Sequence, residues 1–166
     1  MLKIGITGHR DLQKEKITQY KLEVLKQLKI LKQQYSKVII YSSLADGADR
    51  LVVHEAIKEN IDFIAILPMK KSIYLEDFDC DSIHEFEELI QKAKQIIVMD
   101  TPIDISFNKD IQYELASKYI SDNSDILLAL WDGTYNGLKG GTGETVKYHL
   151  SKNRKIWHLK VLRNCI

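Results

Sequence analysis

Short apolar runs rich in β-branched residues alternate along this chain with longer stretches whose apolar positions recur at steps of three and four. That alternation predicts a parallel sheet covered by helices, because a buried parallel strand is apolar on both faces whereas a covering helix needs a single apolar stripe. The predicted strands are Leu2 to Thr7, Val38 to Ser42, Asp62 to Leu67, Gln95 to Met99, Asp125 to Trp131 and Lys155 to Leu162. Between the first two, Ile17, Tyr20, Val24, Leu28, Leu31 and Tyr35 share one helical face, with lysines and glutamines opposite. Further helices are predicted over Asp46 to Glu59, Ser82 to Lys94, Asn108 to Ser121 and Gly143 to Ser151. Their stripes include Leu51, Val52 and Ala56 in the first and Phe86, Leu89, Ile90 and Ala93 in the second. Pro68 and Pro102 follow the third and fourth strands, where a strand has ended and a loop begins. The result is six βα units in a three-layer α/β sandwich, a mostly parallel sheet with helices on both faces. With 166 residues and no linker or repeat, one domain spanning 1–166 is expected.

Composition narrows the partners. Lys and Arg number 24 against 23 Asp and Glu, a formal charge of +1, so nothing points to a nucleic-acid backbone or a membrane surface. Nucleic acid binding is therefore not expected. No apolar run approaches the ~20 residues of a membrane span, and the start of the chain does not read as a signal sequence, so a cytosolic protein is expected. The two cysteines, Cys80 and Cys165, lack a CxxC neighbour or a His-rich setting. They read as free thiols, and neither a metal site nor a bound cofactor is expected.

Ligands of open parallel sheets bind outside the carboxyl ends of the strands, where helix amino termini converge. The residues that follow each strand are therefore the candidates. After the first come Gly8, His9 and Arg10, with Arg10 a cation placed where an anionic ligand would lie. After the second run Ser43, Leu44, Ala45, Asp46, Gly47 and Ala48, the last two small enough at a helix start to permit close ligand approach. An ordinary helix cap at Asp46 is the other reading of this run. After the third come Pro68 and a loop to Tyr74, Asp77 and Phe78; after the fifth, Asp132 and Gly133 follow Trp131. Asp132 is a candidate for ribose hydroxyls, while Trp131 can also simply fill the sheet edge. The run Gly140, Gly141, Thr142, Gly143, Glu144 and Thr145 is the sharpest, because adjacent glycines let the backbone approach a phosphate while the threonines offer hydroxyls at a helix start. It also reads as a flexible turn with a threonine cap. His9 reads better as a local hydrogen-bond partner than as a base, and the other four histidines suggest no role.

Taken in order, Gly5-Ile6-Thr7-Gly8-His9-Arg10, Ser43 to Asp49, Leu67-Pro68 with Tyr74 and Asp77-Phe78, Ser124-Asp125, Trp131-Asp132-Gly133 and Gly140-Gly141-Thr142 resemble the SLOG group of Rossmann-like domains. That group includes Lonely Guy phosphoribohydrolases, the Rossmann domain of DprA and ligand-sensing domains attached to bacterial TIR and sirtuin defence effectors. The resemblance covers nearly the whole chain. It implies a pocket for nucleotides or nucleotide sugars and a homo-oligomer, a dimer or tetramer.

One departure bears on mechanism. Lonely Guy enzymes carry a PGGxGTxxE signature whose glutamate assists cleavage of the N-glycosidic bond; the matching stretch here is Lys139 to Lys147, and Lys147 stands where that glutamate should be. An ammonium cannot stabilise an oxocarbenium-like transition state or activate water as a carboxylate does. Glu144, one turn earlier, is expected to point elsewhere. The pattern looks closer to the sensing branch. Two functions follow: a sensor or carrier of a nucleotide, ADP-ribose-type or NAD-related ligand, acting through a separate effector protein, or a phosphoribohydrolase using Glu144, Asp132 or Glu114 as its carboxylate.

Overall fold

Six strands form one sheet in the computed structural model, which describes residues 1–102 and 107–164. They are β1 (Leu2–Gly8), β2 (Val38–Ser42), β3 (Asp62–Leu67), β4 (Gln95–Val98), β5 (Ile126–Trp131) and β6 (Lys155–Lys160). Their order is β4-β3-β2-β1-β5-β6, and each neighbouring pair is parallel. The helices are α1 (Ile17–Gln34), α2 (Ala48–Lys58), α3 (Lys71–Tyr74), α4 (Cys80–Ile90), α5 (Lys109–Asp122) and α6 (Thr142–Ser151). This is the expected Rossmann-like α/β fold.

The alternation of strand side chains divides the core into two layers. On one face Ile4, Ile40, Phe63 and Ala65 meet Val24 and Leu28 of α1, Val52 and Ala56 of α2 and Phe86 and Leu89 of α4. On the other Ile39, Tyr41, Ile66, Leu127 and Ala129 meet Ala116 and Ile120 of α5 and Val146 of α6. β1 is central, so its residues are sealed from both sides; Ile4 is fully buried between Ile40 and Ile126.

Several boundaries differ from the sequence reading. α4 starts at Cys80, two residues early, because the Asp79 carboxylate accepts the Ser82 N–H at 2.8 Å and caps the helix. α2 starts later, at Ala48, and its cap is Gly47 rather than Asp46. β6 stops at Lys160 because the chain then turns to the loop after β1: Gln13 donates to the Leu162 carbonyl at 2.9 Å, and Leu12 pairs antiparallel with Arg163. No helix follows β6 among the described residues, so the units that recur are five, not six. The single-turn α3 was not expected at all. His149 of α6 is wholly buried, its Nδ1 2.8 Å from Ser121 Oγ of α5 and its Nε2 3.0 Å from the Lys155 carbonyl of β6. Cys80 is an exposed free thiol, and Cys165 lies outside the described residues. Among the described residues no helix is long and apolar enough to cross a membrane.

Candidate ligand-binding site

From β1 the chain steps outward through β2 and β3 to β4, then returns at β5 to the other side of β1. That reversal opens a crevice at the carboxyl ends of the central strands. A recess of about 90 Å³ lies there. Thr7 and Gly8 of β1 form one side, Ser43 and Ala45 a second, Tyr113 and Ser117 of α5 a third, and Gly140 and Thr142 close it at the start of α6. A larger groove of about 330 Å³ runs between α5 and α6 and shares Ser117 and Gly140 with the recess. A hollow of about 240 Å³ shares Arg10, Tyr113 and Gly140 and reaches Leu138 and Gly141. Of the sequence candidates, Gly8, Arg10, Ser43, Ala45, Gly140 and Thr142 meet at this recess.

Arg10 is exposed at the mouth, its guanidinium carbon 5.5 Å from the Tyr113 ring centre and 5.9 Å from that of Phe78. Among the described residues it forms no ion pair, so its fork of donors is available to an anion. Across from it stands Asp49, which the sequence presents only as part of a motif. Its side chain is nearly inaccessible yet borders the recess, and its Oδ2 accepts the Ser42 hydroxyl at 2.8 Å. Burial pushes this carboxyl up to about 6, although the Ser42 hydroxyl, the Arg10 charge and the N–H groups of Ser43 and Ala45 all favour its ionised form. Tyr74 lies beneath, fully buried, donating to the Ser43 carbonyl at 3.0 Å. Burial raises its phenol well above the ordinary value, so it stays a neutral donor.

The small residues after β1 and β2 have a different purpose from the one the sequence suggested. Gly47 has φ +77°, and a Cβ there would overlap the His9 and Arg10 carbonyls. A Cβ on Gly8 would overlap that of Ala48. Ala48 N donates to the His9 carbonyl at 3.0 Å. Gly8, Gly47 and Ala48 therefore let the two loops dock on each other; Gly47 and Ala48 do not open space for a ligand. Leu44, buried with φ +56°, turns the β2 loop, its N–H on Ser42 Oγ and its carbonyl on Arg50 Nε. Asp46 faces away from the recess, accepting Ser82 Oγ at 2.5 Å and pairing with Arg50 at 3.0 Å.

The residues after β5 are tied to the same scaffold. Asp132 Oδ1 lies 3.1 Å from His9 Nε2 and accepts the Thr134 N–H at 2.9 Å, and His9 Nε2 lies 3.2 Å from the Asp132 N. Burial opposes ionisation of Asp132, but the Thr134 N–H and His9 hold its carboxyl below the ordinary range. Asp132 borders neither the recess nor the groove, so its carboxylate serves the joint between the loops. Trp131 is buried, packed on Tyr135 and His158, and donates Nε1 to the Thr134 carbonyl. Gly133 sits at φ +91° in open surroundings. Pro68 is buried, its carbonyl accepting Gln112 Nε2 at 2.8 Å, and Asp77 pairs with Lys109 at 2.9 Å.

In the glycine-rich run, Gly140 has φ +69°, and a Cβ there would strike the Tyr113 backbone, so this glycine seats the loop on α5. Gly141 caps α6 with its N–H on the Leu138 carbonyl, and the Thr145 hydroxyl is spent on the Gly141 carbonyl at 2.9 Å. Gly143 packs against Thr134 and Tyr135. Thr142 is thus the run's hydroxyl that faces the recess. Glu144 does not point away from Lys147: three residues apart on one helix, the two line the same α5–α6 groove together with Glu114. Lys118 draws Glu114 into a pair at 2.7 Å and lowers its carboxyl. Tyr113 and Ser117 went unrecognised because they reach the site from the middle of a helix rather than from a strand end.

A parallel sheet with a polar recess at its point of reversal gives the chain a Rossmann-like α/β fold. No family model and no curated protein matches the sequence. Among solved structures the chain is similar to DNA processing protein A (DprA) from Streptococcus pneumoniae, with a TM-score of 0.69 and 14% identity over 95% of this chain and 50% of that one. It is also similar to DNA processing protein A from Helicobacter pylori, described for its binding of single-stranded DNA (TM-score 0.61, 15% identity, 95% of this chain and 64% of that one). The structural-genomics target TM1055 superposes with a TM-score of 0.57 at 12% identity, over 94% of this chain and 72% of that one. The chain thus spans about half to two thirds of the length of the two DprA proteins. At these identities the likeness is one of fold.

Proposed function

We propose that this chain binds a nucleotide-derived small molecule, in the manner of the ligand-sensing SLOG domains, and passes the binding event to a separate effector protein. The observation that carries this reading is Arg10: a guanidinium without an ion pair among the described residues, stacked by Tyr113 over a recess whose other polar groups include Thr142 and Ser43. The recess has room for one anionic group, and the adjoining groove, several times larger, for the remainder of a nucleotide. A cytosolic setting belongs to the same proposal. The test is a thermal-shift screen against nucleotides, ADP-ribose and NAD, since a ligand bound only by the folded state raises the melting temperature. Calorimetry then compares the Arg10→Ala variant, expected to lose about 1.5–3 kcal/mol of binding. A screen without any shift, or undiminished affinity in a folded Arg10→Ala protein, refutes the proposal.

The second reading, a phosphoribohydrolase, rests on Glu114 and Glu144 lining one groove beside the recess. The DprA likeness also brings single-stranded DNA forward as a ligand, against the expectation from net charge; an oligonucleotide in the same screen decides it.

A further inference from the structure

The near-neutral total of this chain conceals a sharp separation of charge. From Lys14 to Lys37, a stretch that contains α1, there are seven lysines and two glutamates, a balance of +5, and all nine side chains are exposed. From Leu75 to Ile90, a stretch that contains α4, there are seven carboxylates and no lysine or arginine, a balance of −7. Both helices lie on the same face of the sheet, and α2 is sunk between them, joined to α4 by Arg50 on Glu85 at 2.9 Å. Neighbours neutralise part of each stretch. Lys109 pairs with Glu76 and Asp77, Lys71 with Glu87, and Arg50 and His54 with Glu85. On α1, Lys29 reaches Glu59. Lys21 and Lys26 on one side and Asp81 on the other remain without an ion pair among the described residues, while Glu88 meets only His84. Leu22, 63% exposed, stands among the lysines as an apolar point of contact.

We propose that the α1–α2–α4 layer is the interface of a twofold homodimer, each basic α1 lying over the acidic α4 of a second copy. A twofold axis over α2 satisfies both seams at once, because a same-patch contact is self-complementary only when the patch carries its own complement. A polyanion such as nucleic acid would meet the α4 carboxylates on the same layer as the α1 lysines, and like-charge contacts disfavour it. Surface pairs of this kind are individually weak and screened by salt, so the dimer is reversible and steered by charge.

The test uses the intact chain in sedimentation equilibrium. Raising salt from about 0.01 M to about 1 M, which shortens the screening length from roughly 30 to 3 Å, should raise the dimer dissociation constant at least ~10-fold. The Lys21→Glu/Lys26→Glu protein should be monomeric at low salt, and so should the Asp81→Lys/Glu88→Lys protein. Mixed in equal amounts the two should form a heterodimer, since both seams then become attractive again. Circular dichroism of each variant confirms that it is folded. A wild type that stays monomeric at low salt, variants that dimerise as well as the wild type, or a mixture that fails to pair would each overturn the proposal. So would growth beyond a dimer, which would mean a head-to-tail contact, or retention of a single-stranded oligonucleotide by α1 lysines in a monomeric wild type.

Discussion

Asp49 offers a test of the recess that needs no ligand. Its carboxyl is shifted from an ordinary value of 3.8 to about 6 by burial, against the pull of Ser42, Arg10 and two backbone N–H groups. A raised value in the folded state means that the protein holds this proton more tightly than the unfolded chain does. The group's contribution to stability is therefore complete below pH 3.8 and is lost as pH rises through about 6. At ~1.36 kcal/mol per pH unit, the 3.8-to-6 interval corresponds to about 3 kcal/mol between acid and neutral solution. The perturbation is Asp49→Asn, which keeps the shape and removes the titration. Urea unfolding of both proteins at intervals from about pH 4 to pH 8 isolates the effect, because every other titrating group is common to the two and cancels in the difference. Relative to the variant, the wild type should become less stable by about 2.5 kcal/mol as pH rises across that range, the rest of the difference lying below pH 4. Parallel curves would show that Asp49 is solvated or already ionised, and that the recess is wetter than its packing indicates.

Three further outcomes are expected. Gly47→Ala should lower stability by at least about 1–3 kcal/mol, since the new methyl would strike the His9 and Arg10 carbonyls at a positive φ; an unchanged melting temperature would refute the docking of the two loops. His149 is held neutral by burial, so the unfolded chain takes up its proton first and stability should fall as pH drops below about 6.5; His149→Gln should flatten that acid limb in thermal melts. If the protein is a sensor, it should release no free base from nucleoside monophosphates in a chromatographic assay. Turnover abolished by Glu144→Gln or Glu114→Gln would instead establish the hydrolase reading.

The strands and the order of layers were readable from the sequence because burial on both faces of a parallel sheet forces runs such as Val38 to Tyr41 and Ile126 to Leu130 to be apolar throughout. The rule that ligands lie beyond strand ends singled out Arg10, Ser43 and Thr142, which the fold brings to one recess. Asp49 was hidden because an aspartate in a first helical turn reads as a partner of the helix dipole, and its burial arises only when Leu44 turns the preceding loop over it. The packing demand on two glycines was not legible for a related reason. Gly47 and Gly140 are needed against protein backbone many residues away, and no local pattern separates that demand from the approach of a phosphate.

The central place of β1 has a consequence for the chain as it is made. β1 is synthesised before every other strand of this sheet, yet one of its two edges pairs with β5, which begins about 120 residues later. At the usual ~5–20 residues per second, that edge waits roughly 6–24 seconds for its partner. Through that interval the nascent chain carries an open, mostly apolar strand at what will become the middle of the sheet, with Lys3 as its single charge and no bulge to protect it. The growing polypeptide is thus most prone to wrong strand pairing, and most dependent on chaperones that cover bare edges, until β5 has left the ribosome.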